Sequence, residues 1–224
     1  MQNRIPVTEL LNSISEIIDQ AKQNSTATFD EFAYIFATSK SESYIRDKLA
    51  IQLQKRHINL IIAREFLHKS ERQKSNIRHD IGVLERVSGK DARPLQIIEL
   101  KNWYCHDVRQ KKVWDAIQTD MKRIDEIFAE MHGVESIIIV CFTHVMNKVT
   151  DLHDGIIKYQ DDINYDLQRK NPLKYPEDIT SYFKSKLKNT NYTLNFSLED
   201  RYSPKGKYLN REIRNYFYVI SKKK

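Results

Sequence analysis

Two short apolar runs, each broken by charge, set the tightest constraint on what this chain can fold into. The first is Ile77-Arg78-His79-Asp80-Ile81-Gly82-Val83-Leu84 and the second is Leu95-Gln96-Ile97-Ile98-Glu99-Leu100-Lys101. Both have the length and apolar content of strands. Between them, Ser88-Gly89-Lys90-Asp91-Ala92-Arg93-Pro94 is the clearest loop in the chain, set up by Gly and Pro. Antiparallel pairing around that loop would bring Asp80 and Glu99 close together. Successive side chains of a strand point to opposite faces, so Glu99 and Lys101 share one face while Ile98 and Leu100 share the other. The pattern predicts two carboxylates and an ammonium in one small patch.

Such a patch has a definite chemistry. Neighbouring carboxylates repel unless a cation lies between them, and hard oxygen ligands suit Mg²⁺. A metal beside a lysine meets the needs of phosphodiester hydrolysis, which are charge neutralisation at the phosphate and a water held for in-line attack. Isolated charges on apolar strands are unfavourable unless they are paired or bind a metal, which weighs against a merely solvated Glu-x-Lys pair.

The flanking elements follow a recognisable order. Ser41-Glu42-Ser43-Tyr44-Ile45-Arg46-Asp47-Lys48-Leu49 opens a helix expected over 42–56, with Ile45, Leu49 and Leu53 on one face. His57 to Phe66 reads as a strand buried on both sides. After Lys101, Val113 to Met131 is an amphipathic helix with Trp114, Ile117, Met121, Ile124 and Phe128 on its stripe. Gly133 is placed to close it in the left-handed conformation. Ile137 to Phe142 then reads as a buried strand, parallel to a neighbour because the helix supplies a crossover.

This order, with Asp80, Glu99-Leu100-Lys101 and an acid on the upstream helix, resembles the PD-(D/E)xK nuclease superfamily over roughly residues 40–145. The chain has His79 where the family's name places proline. The resemblance implies an α/β fold of the restriction-endonuclease-like sandwich type, a mixed central sheet flanked by helices. It implies a Mg²⁺-dependent endonuclease, with Mn²⁺ able to substitute, that hydrolyses DNA and leaves a 5′-phosphate. Asp80 and Glu99 would hold the metal together with the backbone carbonyl of Leu100, and Lys101 would orient or help deprotonate the water. Glu42 has two open readings. Ser39-Lys40-Ser41-Glu42 fits a capping box, and the family's helix acid often approaches the metal, so Glu42 caps, ligates or does both. Gln118 stands on the helix where some members carry a glutamine near the site.

The remaining sequence bounds the setting. Residues 1–40 read as a helical segment packed on the core, with Thr28-Phe29-Asp30-Glu31 a second capping-box pattern. Residues 41–145 are the nuclease-like core, and 146–224 a basic, aromatic-rich extension of the same domain. The net charge of +7 is concentrated in the last part, where residues 181–224 carry 11 Lys or Arg against 3 acids. Aromatics interleave there with basic groups, and Lys205, Lys207, Arg211 and Arg214 are candidates for contact with a phosphate backbone. DNA is a better expectation than RNA, and a homodimer fits because cutting both strands usually needs two active sites. No stretch approaches the length of a membrane span. With Cys105 and Cys141 the only cysteines and no signal-peptide core at the start, a reducing cytoplasm is the expected setting. The rival readings are a nucleic-acid-binding module or accessory subunit that keeps this fold without cutting, and a structural protein in which the motif is accidental.

Overall fold

The first three helices, α1 (Val7–Gln23), α2 (Glu31–Thr38) and α3 (Glu42–Arg56), precede the three strands β1 (Leu60–Lys69), β2 (Asn76–Arg86) and β3 (Ala92–Tyr104). There follow α4 (Lys111–Glu130), β4 (Glu135–Val145), α5 (Gln160–Leu167), α6 (Glu177–Leu187), β5 (Tyr192–Ser197), β6 (Lys205–Tyr208) and β7 (Arg211–Lys222). This is a computed structural model, and it describes residues 4–38, 41–69, 76–87, 92–130, 133–146, 159–169, 174–197, 205–209 and 211–223. The loop residues Ser88 to Asp91, and Ser39, lie outside the described residues.

One mixed, seven-stranded sheet runs in the order β1-β2-β3-β4-β7-β5, with β6 on β7. Among the described strands only β3 and β4 pair in parallel, and α4 makes the crossover that a parallel pair requires. The class is therefore α/β, a mixed sheet with six helices among the described residues. Ile98 and Leu100 of β3 join the core under α1, α2 and α3. Ile97 joins the core under α4 and α6. Glu99 and Lys101, alternating with Ile98 and Leu100, thus face α4, as period-two reasoning requires. On the stripes predicted for α3 and α4, Ile45, Leu49 and Leu53 are buried on one and Trp114, Ile117, Met121 and Ile124 on the other, while the Phe128 side chain lies outside those described.

Several expectations need correcting. β1 is the edge strand of the sheet and is not buried on both sides. Ile58, just before it, is 76% exposed and Leu67 within it is 55% exposed. The apolar run reflects one covered face and a free edge rather than a central strand. The capping box read at α2 does not form, and the one read at α3 begins at Ser39, outside the described residues. At α2 the cap is Asp30, whose Oδ1 accepts from the Ala33 N–H at 2.9 Å. α3 starts at Glu42, with Ser41 at the cap position making no cap bond. Ser41 Oγ instead accepts from Asn102 Nδ2 at 2.6 Å. The C-terminal aromatics are largely core, since Tyr192, Tyr216, Phe217 and Tyr218 are buried. Those four do not form a surface interleaved with lysines.

Two glycines have a steric reason. Gly133 has φ 92°, the left-handed backbone expected after α4. Gly82 lies under Phe66, and a Cβ there would meet the ring's Cγ at 2.6 Å. Phe66 in turn stacks beside His79, with ring centroids 6.4 Å apart. Gly82→Ala should cost about 1–3 kcal/mol, the scale of overpacking a filled site. The readout is a lower urea midpoint at unchanged m-value, and an unshifted midpoint would show that the ring is free to move away.

Candidate active site

The site lies where β2 parts from β3. Their antiparallel register runs from Arg86↔Ala92 to Ile81↔Ile98, with a bulge between Val83 and Leu84 opposite Pro94, which has no N–H to give to the ladder. At the next step the Asp80 side chain takes over from the ladder. Its Oδ2 accepts from the Leu100 N–H at 2.8 Å. Across β2, Glu65 of β1 has φ 49° at the same level, between the pairs Arg64↔Ile81 and Phe66↔His79. The face alternation of β2 breaks there. Ile81 points into the core under α1 to α3, whereas His79 turns to the α4 side and its Nδ1 meets Glu99 Oε1 at 2.5 Å.

The expected acids and lysine therefore come together. Glu99 is 5% exposed, and its carboxyl lies within hydrogen-bonding reach of Asp80. Burial first, then the charges of Asp120 and Asp80, holds the Glu99 carboxyl well above its usual range, against the pull of Lys101. Lys101 Nζ pairs with Asp120 Oδ2 of α4 at 2.9 Å. Burial alone would lower the Lys101 ammonium, but Asp120, then Glu99 and Glu42, outweigh it and hold it above its usual value. Burial lowers His79 to about 4, so its ring is neutral near pH 7. Arg46 of α3 reaches in from the other side, 3.9 Å from Asp80 Oδ1 and 3.3 Å from Glu65 Oε1.

Glu42 stands at the first position of α3, close enough for its charge to act on Lys101. Leu100 lies between the two acids, with its side chain in the core and its N–H on Asp80.

Among the described residues, no group of three or more His, Cys, Asp or Glu side chains is arranged to hold a metal ion. The donors present nevertheless fit a hard divalent cation. Two adjoining carboxylates, with Glu99 held protonation-prone by burial and then by Asp120 and Asp80, favour a proton or a cation between them. Mg²⁺ commonly binds through one or two carboxylates and keeps several waters.

Three contributors escape a reading of the sequence as motifs. Asp120 had a visible signal, because it sits between Ile117 and Ile124 on the stripe of α4, an acid on a face that must be buried. His79 had only its place before Asp80. Arg46 had none, since α3 and β2 meet only in the fold.

The basic candidates lie elsewhere. Lys205 pairs with Arg214 and Lys207 with Glu212 across β6 and β7. Lys205 and Lys207 are exposed, Arg211 and Arg214 half-buried, and Arg214 reaches Glu212 at 3.6 Å. The Lys207 N–H donates to Asp30 Oδ2 at 2.8 Å, fixing this hairpin on α2. Arg214 lies beside His144 of β4, whereas Glu99 lies beside Ile138. Six strand steps separate those levels, on the order of 20 Å.

No helix among the described residues is long and apolar enough to cross a membrane. No protein-family description matches this chain, and neither does any curated protein or solved structure.

Proposed function

We propose that this chain is a metal-dependent phosphodiester hydrolase of the PD-(D/E)xK type, acting on DNA in a restriction or defence setting. The supporting observation is the meeting of Asp80 and Glu99 where β2 leaves β3, with Lys101 on the same face as Glu99. Asp80 and Glu99 would hold Mg²⁺ or Mn²⁺, with the Leu100 carbonyl a further ligand and Glu42 near the metal's waters. The metal, when bound, supplies charge neutralisation at the phosphate and a more acidic water.

The chain's own groups do the rest. Lys101, kept protonated by Asp120, serves as a fixed positive charge beside the phosphate rather than as a base. His79 orients the Glu99 carboxyl. Arg46 offsets part of the charge on Asp80. Cutting both strands of a duplex would require a second copy of the site, hence a homodimer.

Incubation with plasmid and linear DNA, with and without Mg²⁺, tests the reading against an Asp80→Ala control. Cleavage that needs both the metal and Asp80 supports it. Binding without cleavage under every metal condition would favour the non-cutting module instead.

The distant basic hairpin gives a separate expectation. Replacing Lys205, Lys207, Arg211 and Arg214 by alanine should weaken DNA binding and flatten its salt dependence by roughly one slope unit for each phosphate no longer neutralised. Lys205→Ala with Lys207→Ala alone removes only exposed charge and so controls for misfolding. An unchanged slope would show that the hairpin does not touch phosphate.

A further inference from the structure

The geometry points to a pocket for one unpaired nucleobase beside the candidate active site, on the C-terminal side of Lys101. A cavity of about 100 Å³ is lined by Asn102, Trp103, Tyr104, Asp107, Lys112 and Tyr159. Trp103 shares its strand face with Lys101 two residues earlier, a separation of about 7 Å, the reach from a phosphate to a neighbouring base. That placement rests on the hydrolase reading of Lys101. The pocket's chemistry does not.

Three aromatic residues, Trp103, Tyr104 and Tyr159, line this space. Trp103 is backed by Phe142, ring centroids 6.1 Å apart, which fixes its plane. Tyr104 meets Tyr159 edge-on at 5.6 Å. Tyr159 is 45% exposed and has φ 64° and ψ 32°, a left-handed backbone that a bulky side chain rarely takes. Such backbone outliers cluster at ligand clamps, and this one carries an aromatic ring lining the cavity.

The polar groups narrow the ligand. Asp107 is 5% exposed, and one of its oxygens holds Lys112 Nζ at 2.8 Å. A buried carboxylate accepts hydrogen bonds only, so it suits a base with an exocyclic amine, as Asp and Glu accept from cytosine N4. Stacking on aromatics with the Watson–Crick edge read by polar groups is how unpaired bases are recognised. A paired base offers neither face nor edge to a cavity of this kind, so the site selects a single-stranded or extruded nucleotide, with amine-bearing bases preferred over thymine or uracil.

The test uses the full chain with metal chelated, so that binding is read without cleavage. Short labelled strands of abasic sugar-phosphate, with and without a single cytosine or thymine, are titrated by fluorescence anisotropy. The single cytosine should tighten binding about tenfold, within the range of one stacked base. Trp103→Ala and Tyr159→Ala should each remove most of that gain, and Asp107→Asn should level cytosine with thymine while keeping the stack. Tyr159 is exposed enough to be replaced if Trp103→Ala does not fold, and Trp103→Phe should keep part of the gain. Equal binding of abasic and cytosine strands, no binding of either, or a gain that survives both aromatic replacements would overturn the pocket. Base-dependent binding in a protein that never cuts would sink the hydrolase and leave the pocket standing. Metal-dependent cutting with base-independent binding would do the reverse.

Discussion

Asp80→Ala and Glu99→Ala should each lower metal-dependent cleavage by at least about a hundredfold, the scale of losing a group that stabilises charge at the reacting centre. Their effects on stability should differ. Asp80→Ala leaves the Leu100 N–H without its acceptor, at a cost of about 1–3 kcal/mol. Glu99→Gln instead removes a buried acid that two neighbouring carboxylates oppose, so the metal-free protein should hold or gain stability.

The pH dependence has a definite sign. Because the folded Glu99 carboxyl sits above its ordinary 4.5, the native state keeps a proton that the unfolded chain has already released. Its stabilising effect is full below about pH 4.5 and is lost as pH rises through the folded value. His79, lowered to about 4, works in the opposite direction between pH 6.5 and 4. The Glu99 contribution should therefore be read as the difference between wild type and Glu99→Gln above pH 4.5, a melting temperature in chelator that falls with pH more in the wild type than in the variant, the His79 contribution being common to both. Two variants that cut at near wild-type rate would make these acids structural.

Lys101→Ala should separate metal binding from chemistry. Its loss should lower cleavage by on the order of a hundredfold or more. Calorimetric Mg²⁺ affinity should be kept or tightened, because the lysine is not a ligand and its charge opposes the metal. The fold should suffer too, since Asp120 is 4% exposed and loses its partner at 2.9 Å. Stranding one member of a buried ion pair costs about 3–5 kcal/mol. Arg123, 3.8 Å from the other oxygen of Asp120, softens that cost. Lys101→Met with Asp120→Asn removes the stranded charge and should recover stability without cleavage. Lys101→Arg should rescue poorly, because a planar fork does not occupy the ammonium's place. Equal loss of metal binding and cleavage in the stable double variant would reduce Lys101 to holding the strand.

How much of this could be read beforehand depends on the period of each element. The separation of Glu99 and Lys101 from Ile98 and Leu100 was legible because β3 keeps strict alternation through those four residues. The bond from His79 to Glu99 was not, because β2 changes face at Asp80, opposite a residue with positive φ, and pattern reasoning assumes that it does not. The cap of α2 was misplaced by two residues because Thr28 and Asp30 both suit a helix start, and tertiary partners choose between them. Asp30 caps α2 while also holding β6, and Ser41 is taken by Asn102. The edge position of β1 was hidden because an apolar run reports burial of a face and says nothing of which neighbours a strand has.

The order of strands in the sheet also bears on how the chain is made. β4, whose residues from Ser136 to Thr143 are all buried, is flanked by β3 on one side and β7 on the other. β3 is complete well before β4 emerges from the ribosome, but β7 follows only after residues 146–210. Until then the apolar strand at the centre of the sheet has an open edge, with unsatisfied N–H and C=O groups and no covering partner. Closing that gap joins segments far apart in sequence, a slow step for a folding chain. Nascent chains stalled between β4 and β7 will be the aggregation-prone species of this protein, and the ones that need a chaperone.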